Sequence, residues 1–283
     1  MNKDKIFSTS ASGLCHVWNL EKGIVENSIL LPGRILGAVN LENGLIAIYG
    51  ELSEIYIIVA DTCEQYCTLL SRLYPDWVTC ATSHVVGGES ESTILVGVTA
   101  GGTLKLWRIS NSTVRDSVTW EEESKQIREC SHPIKIVLGT KYLAILTRKS
   151  VIIIDSSDFM TLGIHQNEHN NIFTDLYFST ADNLLVTDDV GGMVTLSLTN
   201  LARNSTENEP EIQNSRSFNF KPLIASIDQT IYVLSNQQTI SRIVFENDPF
   251  KIFIFGPKLS FSRENHKNYS DREFRILTSS SYL

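Results

Sequence analysis

The chain has 283 residues, of which 42% are hydrophobic, 20% charged and 9% aromatic, a composition typical of a globular protein with a large core. A chain of this length buries roughly 75% of its unfolded surface and needs no disulfide or metal to fold. The 24 Lys and Arg against 32 Asp and Glu give a formal charge of -8, which disfavours nucleic-acid binding. The longest apolar runs fall far short of the ~20 residues of a membrane span, so direct membrane insertion is not expected.

Five cysteines at irregular spacing do not have the pattern of a disulfide scaffold. The segment Met1-Asn2-Lys3-Asp4-Lys5 also lacks the apolar stretch of a secretory signal. Both features predict a reduced, cytoplasmic location.

Short β-rich runs separated by Gly, Asn, Asp and Ser follow one another along the chain, and helical periodicity is nearly absent. The predicted strands form one group of three and five groups of four: Lys5–Ala11, Leu14–Leu20, Ile24–Leu31; Ile35–Leu41, Gly44–Gly50, Glu54–Ala60, Gln65–Leu73; Trp77–Val85, Ser92–Thr99, Gly102–Ser110, Val118–Ile127; Ile134–Leu138, Tyr142–Thr147, Ser150–Asp155, Met160–His165; Asn171–Ser179, Asn183–Asp188, Met193–Leu198, Ser215–Phe220; Leu223–Ile227, Thr230–Ser235, Thr239–Phe245, Phe250–Phe255.

A repeated segment runs from a glycine to a tryptophan five residues later. Gly13 to Trp18 and Gly102 to Trp107 share this form, and the two tryptophans are 89 residues apart (107 minus 18). Gly192 begins a third segment of the same length, in which Ser197 takes the place of the tryptophan. Half of this spacing is close to the ~40 to 45 residues of a WD-type propeller blade. The sequence therefore predicts an all-β, WD-repeat-type β-propeller over residues 1–257, with about six four-stranded blades.

In a WD-type blade, the tryptophan that ends this segment packs between neighbouring blades. We therefore expect Trp18 and Trp107 to be buried there and to stabilise the fold, not to bind a ligand. Val59, Asp155 and Ser197 are predicted to take this position in the second, fourth and fifth blades. We call the residue at this position the anchor of its blade. Without an aromatic anchor, the packing of those three blades against their neighbours is expected to be less strongly determined by the sequence.

The first blade is predicted to lack its innermost strand, and an unpaired inner edge has to be covered. One solution is the segment Asp271–Thr278 in the polar tail, residues 258–283, which is strand-like and could close the ring. The other is that the chain is a piece of a longer protein whose earlier blades are missing.

Several less generic motifs occur in a fixed order. They are Ser8 to Trp18, Ile57 to Asp61, Tyr74 to Val78, Gly102 to Trp107 and Glu121 to Ile127. In order and spacing they resemble the N-terminal propeller of the rabconnectin beta subunit, from Phe7 to about Asn200. In that family the chain is much longer and two blades precede the point matching Phe7, which favours the fragment interpretation.

The resemblance implies a non-enzymatic scaffold with the rabconnectin alpha subunit and V-ATPase subunits as partners, in the regulation of vesicle acidification. It also implies a peripheral position on vesicle or endosomal membranes through those partners. An alternative is a generic WD-repeat adaptor, such as a ubiquitin-ligase receptor or an RNA-processing subunit. A hydrolase using a propeller channel would require convergent acids or a metal at the inner strand ends.

Two segments are candidate partner-binding sites. Pro75-Asp76-Trp77 is a stiff entry to an inner strand, because Pro75 removes a backbone donor and biases Tyr74 to an extended conformation. Glu121-Glu122-Glu123 could steer a basic partner. The competing interpretations are a structural turn for the first segment and a solvated strand edge for the second.

No catalytic, cofactor or metal site is predicted. Cys63 with Cys67, and Cys80 with His84, have ligand-like spacing, but four residues of extended strand separate two side chains by ~13 Å. Asp188-Asp189 precedes Gly191-Gly192 and is interpreted as a turn acid.

Overall fold

The structure is a computed structural model of the whole chain. It describes residues 5–41, 44–70, 76–86, 92–110, 120–127, 129–167, 171–199, 201, 209–217, 223–227, 230–234, 240–244 and 251–255. Within these ranges the secondary structure consists of β-strands and turns, and there is no helix that is long and apolar enough to cross a membrane.

The described strands form six antiparallel sheets, which we call blades 1 to 6. Blade 1 has three strands, ordered β1-β2-β3, and each other blade has four strands in chain order across the sheet. The strands are β1 Lys5–Thr9, β2 Leu14–Asn19, β3 Ile24–Leu30; β4 Arg34–Asn40, β5 Leu45–Glu51, β6 Glu54–Val59, β7 Gln65–Leu70; β8 Val78–Val86, β9 Ser92–Thr99, β10 Thr103–Ser110, β11 Trp120–Gln126; β12 Lys135–Leu138, β13 Tyr142–Leu146, β14 Ser150–Asp155, β15 Thr161–Gln166; β16 Phe173–Thr180, β17 Asn183–Asp188, β18 Gly192–Ser197, β19 Glu211–Ser217; β20 Leu223–Ile227, β21 Thr230–Leu234, β22 Ile240–Val244, β23 Lys251–Phe255.

The all-β architecture and the grouping of strands agree with the sequence prediction. Most strand ends fall within two residues of the predicted ones, and the largest difference is β19, which begins at Glu211 instead of Ser215. The predicted closing strand, Asp271–Thr278, lies outside the described residues. It therefore stays a prediction.

The chain divides into two compact units, and the division falls after Leu138. In the first unit, two apolar clusters lie between successive blades. Phe7, Cys15 and Val17 of blade 1 pack with Ile48 and Ile58 of blade 2. The opposite face of blade 2, including Tyr49 and Ile57, packs with Leu95 and Trp107 of blade 3.

In the second unit, β14 is buried at all six of its positions. A strand whose two faces are both buried has apolar residues at successive positions, which accounts for the four consecutive apolar residues Val151 to Ile154. Blade 5 is attached to β13 by the Tyr142 hydroxyl, which donates to the Leu198 carbonyl at 3.2 Å.

In blades 1, 3 and 5, a glycine directly before the next-to-last strand of the blade sets the register of that strand. Gly13 and Gly102 precede β2 and β10 with φ values of 89° and 84°, and Gly191 precedes β18 with φ 96°. In this left-handed region, glycine is strongly favoured. A Cβ on Gly102 would also overlap the Cys130 carbonyl oxygen, and one on Gly13 would overlap the Leu31 carbonyl oxygen.

Counting five residues on from these glycines gives Trp18, Trp107 and Leu196. The predicted repeat glycine Gly192 is therefore one residue late, and the anchor of blade 5 is Leu196 instead of Ser197. The same shift gives Ile58 in blade 2 and Ile154 in blade 4, instead of Val59 and Asp155. Ile58, Ile154 and Leu196 are fully buried, so these blades have an aliphatic anchor.

Trp18 and Trp107 have different environments although they occupy equivalent positions. Trp107 is 0% exposed between blades 2 and 3, whereas Trp18 is 37% exposed. Trp18 points away from the cluster that blade 1 shares with blade 2, and its Nε1 donates to Ser8 Oγ at 2.8 Å. The expectation that both tryptophans are buried between blades is wrong for Trp18.

We expect Trp107→Ala to lower the free energy of unfolding by about 3 to 5 kcal/mol, because it leaves a large cavity between blades 2 and 3. Trp18→Ala should cost less than half as much, since part of that ring is already in contact with solvent. Chemical denaturation of both variants measures the difference. Equal losses, or a loss under about 1 kcal/mol for Trp107→Ala, would contradict the assigned blade register.

Candidate interaction surfaces

A hydrogen-bond network in blade 3 fixes the turn between β9 and β10 against the segment that enters β8. The Thr99 hydroxyl and the Gly101 N–H donate to the two carboxylate oxygens of Asp76, the second at 2.7 Å. The Thr103 N–H in turn donates to Thr99 Oγ1 at 3.0 Å. Both oxygens of Asp76 are thus engaged in holding the turn.

Blade 5 builds an equivalent network from different side chains. Asn171 precedes Phe173 by two residues, as Asp76 precedes Val78, and Phe173 and Val78 occupy matching register positions. Asn171 Nδ2 donates to Asp188 Oδ2 at 3.1 Å, and the Val190 and Gly192 N–H groups donate to Asp188 Oδ1. Asp188 thus acts as a turn acid.

Trp77 lies at the turn edge that this network holds in blade 3. Its carbonyl accepts a hydrogen bond from the Ala100 N–H at 3.0 Å, and its side chain is half-buried. Pro75 lies outside the described residues. The structure places Asp76 and Trp77 together at one turn, and a partner contact there stays a prediction.

The acidic run lies on β11, the edge strand of blade 3. Glu121, Glu122 and Glu123 pair with Arg108, Trp107 and Leu106 in the strand register. The Glu123 side chain is exposed, and its Oε1 lies 3.7 Å from Arg108 Nε. Such an exposed ion pair contributes little to stability, so Glu123 remains accessible for an encounter with a basic partner.

Blade 1 presents an apolar face that sequence reasoning did not single out. Ile6, Trp18 and Val25 are direct cross-strand neighbours, and Leu14 and Leu30 form a second such pair on the same face. Leu30 and Val25 are 71% and 39% exposed. Next to Trp18 a cleft is lined by Ile6, Asn19, Leu20 and Gly23. We call the set Ile6, Leu14, Trp18, Leu20, Val25 and Leu30 the Trp18 face.

Burial makes the cysteine thiols poor nucleophiles. It raises the pKa of Cys15 to about 12, with a further contribution from Cys63 nearby. Burial likewise raises the pKa of Cys63 and of Cys130 to about 11 and raises that of Cys80 and Cys67.

Across the described ranges, no three His, Cys, Asp or Glu side chains are grouped so that they could hold a metal ion.

No protein-family model matches the chain. Solved structures that are similar to it are β-propellers. Hsv2 of Kluyvelomyces marxianus matches with a TM-score of 0.61 at 11% identity, covering 90% of this chain and 82% of that one. The β-propeller domain of Myceliophteria thermophila Cps50 (Swd1) matches with a TM-score of 0.60 at 14% identity over 90% and 83%. The WD40 β-propeller domain of Doa1 matches with a TM-score of 0.60 at 12% identity over 91% and 81%. The fold is therefore that of a WD-repeat-type β-propeller, as predicted.

We expect Asp76→Ala to destabilise the protein by about 1 to 3 kcal/mol, because it removes a charged acceptor from two hydrogen bonds and leaves the buried Thr99 hydroxyl without its acceptor. Asp76→Asn retains one acceptor oxygen and should recover part of this loss. Thermal denaturation of the two variants measures both effects. An unchanged melting temperature for Asp76→Ala would contradict a structural role for this carboxylate.

We expect the native protein to resist alkylation by iodoacetamide at pH 8. The buried thiols stay protonated there, because their pKa values lie above those of free cysteine, and the thiolate is the reactive species. The reagent should label all five cysteines in denaturant, where the thiols ionise near their usual pKa. Mass spectrometry counts the added groups. Rapid native labelling of Cys15 or Cys80 would contradict their burial.

Proposed function

We propose that this chain is a non-enzymatic WD-repeat scaffold of the rabconnectin beta type, which positions protein partners in the regulation of the vacuolar proton pump. By the same resemblance, its partners are a larger WD-repeat alpha subunit and V-ATPase subunits. It acts in the cytoplasm and on vesicle or endosomal membranes through those partners. The mechanism is positioning, in which surface turns held by a rigid sheet framework bind partners and no bond is made or broken.

The observation that carries this proposal is the turn edge of blade 3. The Asp76 carboxylate, Thr99 and Gly101 hold the turn, and Trp77 lies directly beside it. An aromatic residue on a turn whose backbone is already held loses little backbone entropy when it binds a partner. Trp77 belongs to the Pro-Asp-Trp motif that also carries the resemblance.

The paired acids Asp188 and Asp189 are committed to structural contacts, which supports a non-catalytic role. Asp188 accepts from the backbone of its own turn, and Asp189 Oδ1 accepts from the Ile172 N–H at 2.9 Å. The cysteine thiols are protonated at neutral pH. A general base or nucleophile needs an accessible group of suitable pKa.

Affinity purification of the chain from its own cytosol, at low and moderate salt, tests the proposal. We expect a WD-repeat alpha subunit and proton-pump subunits to be recovered. The variant in which Glu121, Glu122 and Glu123 are all replaced by Lys should recover less at low salt, because an acidic patch speeds association with a basic partner. At moderate salt, the amounts of partner recovered by the variant and by the wild type should become more similar, because salt screens the charges.

The variant Ile212→Lys serves as a control. Ile212 is likewise an exposed residue of a β-strand, but it lies in blade 5 instead of blade 3. Recovery of ubiquitin-ligase or RNA-processing subunits instead would favour the alternative of a generic adaptor. Recovery of no protein, from a folded and monodisperse sample, would contradict the scaffold proposal.

A further inference from the structure

The turn between β13 and β14 carries two exposed cations that have no counter-ion among the described residues. Arg148 and Lys149 are adjacent in this turn, and both side chains are exposed. Neither forms an ion pair or a side-chain hydrogen bond within the described part of the chain. Five other cationic side chains are paired with carboxylates: Lys5, Lys22, Arg34, Arg108 and Lys141. The turn therefore offers two positive charges to an anionic group of a partner.

Buried hydroxyl groups hold the backbone of this turn. The Lys149 and Ser150 N–H groups donate to Thr147 Oγ1 at 3.2 Å and 2.9 Å. The Thr147 and Ser150 hydroxyl oxygens are 2.8 Å apart, and both residues are buried. The Lys149 carbonyl accepts a hydrogen bond from the Asn167 N–H at 2.8 Å. Because its backbone is already ordered, the turn loses little conformational entropy when it binds a ligand.

Blade 5 places two exposed aliphatic side chains beside this turn. The Phe173 N–H donates to the Arg148 carbonyl at 3.0 Å, and the preceding residue, Ile172, is 40% exposed. The Asp189 N–H donates to the Ile172 carbonyl at 2.9 Å, and the following residue, Val190, is 57% exposed. The cations and the aliphatic side chains thus lie on one continuous, hydrogen-bonded edge. We call Arg148, Lys149, Ile172 and Val190 the Arg148 edge.

The Arg148 edge consists of turns and strand ends, not of a sheet face. Its cations lie between β13 and β14, Ile172 precedes β16, and Val190 lies between β17 and β18. The apolar clusters between blades of the first unit are built mainly from side chains along the strands. Blade packing of that kind covers sheet faces and leaves a turn edge accessible.

The carboxylates near this edge determine where an acidic ligand group can lie. Asp188 and Asp189 are at the turn between β17 and β18, and their oxygens accept hydrogen bonds from backbone N–H groups. Among the described side chains, neither carboxylate forms an ion pair with Arg148 or Lys149. Because like charges repel, an anionic ligand group is favoured at the turn of blade 4, and an uncharged one beside the aliphatic side chains of blade 5.

We propose that the Arg148 edge binds an acidic, aliphatic segment of a protein partner. A carboxylate of this segment contacts Arg148 and Lys149, and an aliphatic side chain contacts Ile172 and Val190. A guanidinium group donates two parallel hydrogen bonds to one carboxylate in such pairs. This inference rests on the proposed scaffold function and adds the surface and the chemistry of one partner contact.

The spacing of the blades sets the spacing of the two ligand groups. Neighbouring sheets pack ~10 Å apart, and an extended chain rises ~3.3 Å per residue. The aliphatic residue should therefore lie about three positions from the acidic one in the partner sequence. An inorganic anion would use the two cations but not the aliphatic side chains, so the presence of both at one edge favours a peptide.

Site-specific photo-crosslinking tests this binding. A benzophenone amino acid replaces Val190 in the full chain, expressed in its own cells, and mass spectrometry identifies the peptide that is captured on irradiation. We expect a peptide in which Asp or Glu lies about three positions from Leu, Ile or Val. A benzophenone in place of Met160, which is 51% exposed beside the far end of β14, is the positional control and should not capture that peptide.

Binding of the captured sequence to charge variants is the second measurement. The captured peptide is synthesised with a fluorescent label, and its anisotropy is measured as the purified full chain is added. Lys149→Glu should weaken binding at least about fivefold, because it replaces an exposed attraction by a repulsion. Lys141→Glu should change the Kd by less than about twofold, since Lys141 is an exposed lysine at the other end of β13. Both variants change exposed turn residues and should keep the wild-type melting temperature.

An uncharged version of the same peptide separates the charge effect from any change in folding. In this version, Asn replaces Asp or Gln replaces Glu. It should bind the wild type and Lys149→Glu with equal affinity, because the charge on which the two proteins differ has no partner in the peptide.

Four results would overturn the inference: no capture at position 190, capture of residues of this chain, capture of a segment without acidic residues, and equal affinity of the wild type and Lys149→Glu for the acidic peptide. If affinity purification still recovers the proposed partners while one of these occurs, the scaffold proposal stands and the Arg148 edge is not a binding surface. If position 190 captures an acidic segment of a protein unrelated to the proton pump, the inference holds and the assignment to the pump fails. If the wild-type chain recovers no partner and captures none, both proposals fail.

Discussion

The first unit depends on one repeated packing interaction, in which a large apolar side chain near the end of a blade's next-to-last strand is buried against the preceding blade. Trp107 lies in the cluster between blades 2 and 3, and Ile58 lies in the cluster between blades 1 and 2. A four-stranded sheet is too thin to bury its own two faces, so each blade relies on its neighbours for a core. Because interiors are packed as densely as organic crystals, a change at one anchor is felt by two blades.

The position of each anchor is set by backbone conformation at the preceding turn. Gly13, Gly102 and Gly191 adopt positive φ directly before the next-to-last strand of their blades, and that strand then alternates its side chains between the two faces. A slip of one residue would turn the anchor from one neighbouring blade to the other. Hydrogen bonds to Asp76 in blade 3 and to Asp188 in blade 5 hold two of these turns in place. The turn chemistry and the core packing therefore enforce the same register.

Sequence reasoning predicted the strands and their grouping because alternation and turn residues are local signals. It shifted the anchors of three blades by one residue, because Gly191-Gly192 offers two possible starting points and blades 2 and 4 have no glycine before the third strand. The Asp76 network could not be predicted, since Asp76 and Thr99 are 23 residues apart and meet only through the pairing of β8 with β9. The exposure of Trp18 was missed for a related reason. Its motif is the same as that of Trp107, so the sequence pattern does not distinguish the exposed ring from the buried one.

That difference shows how one motif gives both a buried and a partly exposed side chain. Burial of Trp107 between blades 2 and 3 is worth about 3 to 5 kcal/mol, whereas Trp18, which is 37% exposed, contributes less to stability. Trp107 Nε1 has no hydrogen-bond partner among the described residues, whereas Trp18 Nε1 is bonded to Ser8. Trp18 thus stays compatible with partial solvent exposure and with full burial, because its polar atom is satisfied in both states.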